Sequence, residues 1–232
     1  AKARVANIWL NEPSLEKALE RRQEMLEPPE DDLEESLNDD GDPYVPPSDD
    51  PEQKNLIKEV DQLLHQLREP LEDREHARLL ARLLELAPSY MQKTGTPGIM
   101  RILPMLMQHY RDDLRSAAQR QAANRTLDQL LDEKLIHRLV DSLSDKKLSL
   151  PLIKQAAMLL VRLEMRIAPY LLRRLTDEKN AQVRRHLTLI LGQMGKPILN
   201  ILKKSLTDKR WFVVRNTVSV LGDMRQKGAI PL

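Results

Sequence analysis

The 232-residue chain contains no cysteine, which excludes disulfides and thiolate metal sites and removes any need for an oxidising compartment. Aromatic residues make up only 3%, with a single Phe, so Leu, Ile, Val, Ala and Met must build whatever core exists. Seven glycines are too few for a turn-rich β architecture. No apolar run is long enough to span a bilayer. No signal-peptide pattern opens the chain, and with the missing cysteines this points to a cytoplasmic protein. The chain starts at Ala1 without Met, so a trimmed N-terminus and a lost targeting segment stay open. The chain is Leu-rich, 31% charged and 41% apolar, a composition that favours packed helices.

The net charge of +2 is an average over opposites. Residues 1–51 carry a net charge of −10 and residues 166–232 a net of +10. Such a dipole along the chain bears on partners more than on fold.

Three stretches follow. Residues 14–27 read as a short helix, with Ser14 as cap and Leu15, Ala18, Leu19 and Leu26 at helical spacing, in an N-terminal helical segment 1–27. Residues 28–51 hold ten acids, six prolines and no Lys or Arg, which predicts an acidic Pro-rich linker without a core. Residues 52–232 read as one helical-repeat domain. Its first helix starts at Glu52, with Asp50 as cap and Pro51 in the first turn. Apolar stripes then run through Leu56–Leu67, Leu79–Ala87, Ile99–Tyr110 and Leu135–Leu143, with a predicted break over 88–98. Pro104, inside the third stripe, is expected to kink its helix or to mark a first turn. Residues 113–131 have a weaker, alanine-based face.

From residue 143 the chain repeats. Leu143-Ser144-Asp145, Leu175-Thr176-Asp177 and Leu206-Thr207-Asp208 recur at spacings of 32 and 31 residues. The apolar helix Val183, Leu187, Ile190, Leu191, Met194 has a counterpart thirty residues later in Val213, Thr217, Val220, Leu221, Met224. The positions thirty residues earlier are Ile153, Ala157, Leu160, Val161 and Glu164. A second helix repeats as well: Ile167, Tyr170, Leu171 and Leu175 match Ile198, Ile201, Leu202 and Leu206. A third copy stops at Leu232 half-way through its unit. The apolar face this would leave predicts that the array continues or lacks its final helix.

Two helices per thirty-odd residues is the pattern of an α-solenoid. The segment 208–216, followed by Leu221-Gly222-Asp223-Met224, resembles the short bacterial HEAT repeats of the PBS-lyase-like type, with their Asp, aromatic, Val-Arg pair and Leu-Gly. The copy built on Asp177, Val183-Arg184-Arg185 and Leu191-Gly192 is a looser match. The resemblance covers residues 145–232, whereas 52–143 lack its marks. It implies an all-α, right-handed α–α superhelix. In that frame Asp177 and Asp208 cap the helices that follow them, and Arg185 and Arg215 reach an aspartate of a neighbouring unit. Trp211 covers the seam between units, and a glycine after the helix permits a tight reversal.

The second helices of such repeats usually line the concave face, where Arg166, Arg173, Arg174, Lys196, Lys203 and Lys204 lie off the apolar stripe. They form a candidate surface for an acidic protein partner or, second, for a phosphate backbone. A merely solvated face is the competing reading. HEAT-like glycosylases need a catalytic acid and aromatics in the cleft, but residues 166–232 contain only Asp177, Glu178, Asp208 and Asp223 as acids. Nothing singles out a bilin site. His65, His76, His109, His137 and His186 show no metal-ligand spacing and read as surface or seam residues. No nucleotide-binding or nucleophile motif occurs. Glu34-Glu35 and Asp39-Asp40 fall in the linker, without a rigid cavity. The methionines, among them Met100, Met107 and Met158, sit at core spacings. The acidic linker is a solvated tether or, alternatively, folds back onto the basic repeats. The expectation is thus a non-catalytic binding scaffold without cofactor or metal, and with no catalytic residue.

Overall fold

The computed structural model describes residues 43–224, and every regular segment of that stretch is helical. The expected helix 14–27, most of the acidic linker and the third copy's second helix lie outside the described residues.

Helix α1 (Pro51–Arg68) begins where the sequence predicts. The Asp50 carboxylate accepts the Glu52 amide at 3.1 Å, and Pro51 occupies the first turn, where no amide is needed. Val60, Leu63, Leu64 and Leu67 bury its inner stripe. Helix α2 (Asp73–Arg111) corrects the predicted break over 88–98. The chain stays helical past Pro88, because Ala87, Tyr90 and Met91 continue the buried face. It breaks only at Gly95, whose φ of 66° and ψ of −145° suit a residue without a side chain. The second arm carries Ile99, Ile102, Leu103 and Leu106, all fully buried, and Pro104 lies within this arm.

Helix α3 (Ala117–Leu130) is capped by Ser116 and packs along α2 through Ala123 and Leu127, small and medium side chains that allow close approach. Asp132 caps α4 (Glu133–Ser142). The repeating part follows as α5 (Leu150–Leu163), α6 (Ala168–Asp177), α7 (Ala181–Met194), α8 (Leu199–Ser205) and α9 (Trp211–Met224). Helices α5, α7 and α9 each have 14 residues. They pack in series, α5 on α7 and α7 on α9. The shorter helices flank them regularly: α4 touches α5 and α7, α6 touches α7 and α9, and α8 touches α9.

The expected register of α5 was wrong by one residue. Its buried residues are Leu152, Ala156, Leu159, Leu160 and Leu163, whereas Ile153, Ala157 and Val161 are half-buried. Those five align with Val183, Leu187, Ile190, Leu191 and Met194 at 31 residues, the same displacement as the second helices. The turn confirms this register. Glu164 has φ 44° and ψ −122°, and Gly195, 31 residues on, has φ 68° and ψ −141°. One sharp reversal therefore joins α5 to α6 and α7 to α8, using a glycine in one unit and a strained glutamate in the other.

Candidate interaction surface

The six predicted basic residues divide into two groups. Arg166 lies in the 3-10 turn Glu164–Arg166 after α5. Its guanidinium bonds the Asp128 carboxylate and the Asn124 carboxamide of α3 and rests 5.3 Å from the Tyr110 ring centroid. Arg173 on α6 bonds Glu133 of α4 and lies over its own neighbour Tyr170, 5.5 Å from the ring centroid. Arg174 bridges Asp141 of α4 at 3.2 Å and Glu178 at 2.9 Å. Burial pushes the Tyr170 hydroxyl's pKa up, and His137 meets that ring edge-on. These three arginines clasp α6 and its preceding turn to α3 and α4, so their charge is largely neutralised in place. Each such half-exposed pair contributes about 0–1 kcal/mol.

Lys196, in the turn Lys196–Ile198, and Lys203 and Lys204, in the last turn of α8, are exposed. Among the described residues none of the three has an ion-pair partner. Lys204 shares the register of Arg173, 31 residues on. Basic side chains at a helix C-terminus are favoured by the helix dipole, which helps explain why an unneutralised pair is tolerated there. The candidate surface is thus narrower than the sequence implied. It is the lysine group around α8, not the whole row.

Several expected structural roles move to neighbours. Asp177 is the last residue of α6 and caps nothing; Asn180 caps α7, its carboxamide accepting from Gln182 at 2.9 Å and from Val183. Three residues of connection place Asn180, not Asp177, in the cap geometry. Asp208 accepts the Arg210 amide at 2.9 Å just before α9, and the Arg210 guanidinium holds its carboxyl down at about 2. Asp145 makes the same turn with Lys147. Among the described residues neither Arg185 nor Arg215 bridges to a neighbouring aspartate. Arg215 instead lies 5.0 Å from the Trp211 ring centroid and donates to Asn216. Trp211 is 69% exposed, so it covers no seam. The polar link between units is made by Asn216, whose amide donates to the Leu175 carbonyl at the end of α6. The Leu-Gly glycine is a packing residue: a Cβ on Gly192 would meet Asp223 Cβ at 3.0 Å, whereas Gly222 has open space.

Sequence reading missed a buried histidine pair. His76 and His109, on the two arms of α2, are 0% and 3% exposed, with His76 Nε2 3.2 Å from His109 Nδ1. Arg115 can only donate, and it does so to His109 Nε2 at 3.1 Å. His109 therefore carries its proton on Nδ1 and donates to His76 Nε2, which leaves His76 Nδ1–H without an acceptor among the described residues. Burial first, then Arg115, lowers both pKa values, that of His109 to about 3. Two neutral histidines held this way form a structural network. Among the described residues no group of three or more His, Asp or Glu is placed to hold a metal, and no helix is long and apolar enough to cross a membrane. No protein-family model matches the chain, and no curated protein matches it.

Proposed function

We propose that the chain is a HEAT-like α-solenoid serving as a non-catalytic protein–protein interaction scaffold, and that Lys196, Lys203 and Lys204 form its contact for an acidic partner. The 31-residue register shared by α5–α6 and α7–α8, with the same reversal in each, supports the repeat reading. The observation that carries the binding reading is the contrast within one row of basic residues. Arg166, Arg173 and Arg174 are answered by acids of earlier helices, while the three lysines are exposed and, among the described residues, unanswered.

A second reading is nucleic-acid binding, favoured by the exposed Trp211 with Arg215 against its ring, a platform on which a base could stack. The two separate in one titration series. A fluorescent oligoglutamate peptide and a single-stranded oligonucleotide are each titrated against the protein at low and at moderate salt. Peptide binding that disappears in Lys196→Glu/Lys203→Glu/Lys204→Glu, but survives in Trp211→Ala, supports the scaffold. Oligonucleotide binding lost in Trp211→Ala, with a steep salt dependence, supports the alternative. No binding of either probe at low salt overturns both.

A further inference from the structure

A second, separate surface lies between the second arm of α2 and helix α5. Met100, Met107 and Arg111 line it from α2, and Met158, Leu159 and Arg162 from α5, around a groove of about 510 Å³. Met158 is 52% exposed, with Lys154, Gln155 and Arg162 beside it on α5, while Met100 and Met107 of α2 are buried. Pro43 lines the same groove and is buried. The linker therefore enters the described structure already seated in the cleft.

We propose that residues 30–42 of the same chain occupy this groove, with Leu33 and Leu37 against the methionines and the flanking carboxylates on Arg111 and Arg162. Three observations converge on that occupant. The first is charge. Residues 30–42 contain eight acids and no Lys or Arg. The two arginines close one end of the groove, and among the described residues neither meets a carboxylate. Arg111 donates to the Arg162 carbonyl at 3.2 Å and lies over the Tyr110 ring. The nearby acids Asp112 and Asp113 are engaged by Arg115 and Arg120, and α5 itself carries no acid.

The second is apolar complementarity. Leu33 and Leu37 are the only large apolar side chains in the segment, and they are four residues apart. Methionine side chains adapt to such a pair more readily than branched ones. The third is reach. Leu37 is six residues from the seated Pro43, so the chain can place it anywhere within roughly 20 Å. The α2 stripe from Met100 to Arg111 is only about 16 Å long. With Pro43 anchored, the segment meets the groove as an intramolecular ligand, at an effective concentration on the order of millimolar. This proposal is independent of the lysine surface.

The absence of cysteine makes the test direct. Leu37→Cys is combined with Met158→Cys, and as control with Val218→Cys on α9, a site of similar exposure at 55%. Disulfide formation in glutathione buffer is followed by non-reducing mass spectrometry. The expected result is intramolecular closure at least about ten-fold faster for the groove pair than for the control. That advantage should vanish when Arg111→Glu and Arg162→Glu are added. Equal rates for the two pairs overturn the proposal. So does a disulfide that joins two chains in a concentration-dependent way, which would assign the groove to a second copy. If the cysteine variants fold poorly, amide hydrogen exchange of the unaltered protein decides. Protection over residues 30–42 at low salt that is lost at high salt supports docking, and full exchange at low salt overturns it.

Discussion

Mild acid should weaken this fold through His109. The imidazole is 3% exposed, accepts from Arg115 and is held at a pKa of about 3, chiefly by burial. In the unfolded chain it titrates near pH 6.5. Between those two values the unfolded state binds a proton that the folded state does not, so stability falls as pH falls through this window. An unfolded imidazole is about 24% protonated at pH 7 and about 97% protonated at pH 5, which stabilises the unfolded state by about 2 kcal/mol. This figure is insensitive to the folded value as long as that stays well below 5. His76, also lowered, adds a contribution of the same sign. The assay is urea unfolding at pH 7 and pH 5 for the native chain and for His109→Gln. The Gln side-chain oxygen can still accept from Arg115 but does not titrate here, and contributions from carboxylates cancel in the comparison. The native chain should lose about 2 kcal/mol more than the variant between the two pH values. Parallel losses would refute the argument, as would an NMR titration showing a protonated His109 at pH 6.

Three further outcomes follow from the packing. Gly192→Ala should destabilise by about 1 kcal/mol because its Cβ presses on Asp223, while Gly222→Ala, with open space around it, should be neutral or gain up to about 1 kcal/mol; chemical denaturation ranks the two. Glu164→Gly should raise stability by about 1 kcal/mol by relieving the positive φ, seen as a higher thermal midpoint; a lower midpoint would mean that the turn is not strained. Arg101→Leu should cost about 2 kcal/mol in the same assay, because the buried guanidinium donates to Asp61 at 2.6 Å and to the Tyr90 hydroxyl at 3.2 Å.

Features set by neighbours in sequence were legible before the structure. Asp50 and Pro51 start α1 by local chemistry alone, and the stripe Val183 to Met194 declares its own face. The register of α5 was not legible, because a helix with only Lys154, Gln155 and Arg162 as polar residues reads as apolar in more than one rotation. Only the pairing of Glu164 with Gly195 as turn residues fixes it, and a glutamate does not announce a positive φ. The lysine surface was half legible. The basic positions could be counted, but the acids of α3 and α4 that answer Arg166, Arg173 and Arg174 lie 33 to 40 residues away, outside the repeat motif. His76 and His109 are 33 residues apart, on two arms whose meeting depends on the break at Gly95.

The arginine clasp has a direction. At one register the successive short helices present Asp141, Arg173 and then Lys204, so the row runs from acid through a neutralised step to open positive charge. Whether a basic side chain on such a row is available depends on what the preceding helix offers, not on its own helix. The open charge that α8 carries is therefore set one unit upstream. A charge reversal on α4 or α6 would switch the row's potential on or off without altering Lys204 itself, so the surface charge of one unit is written at positions of another that look purely structural.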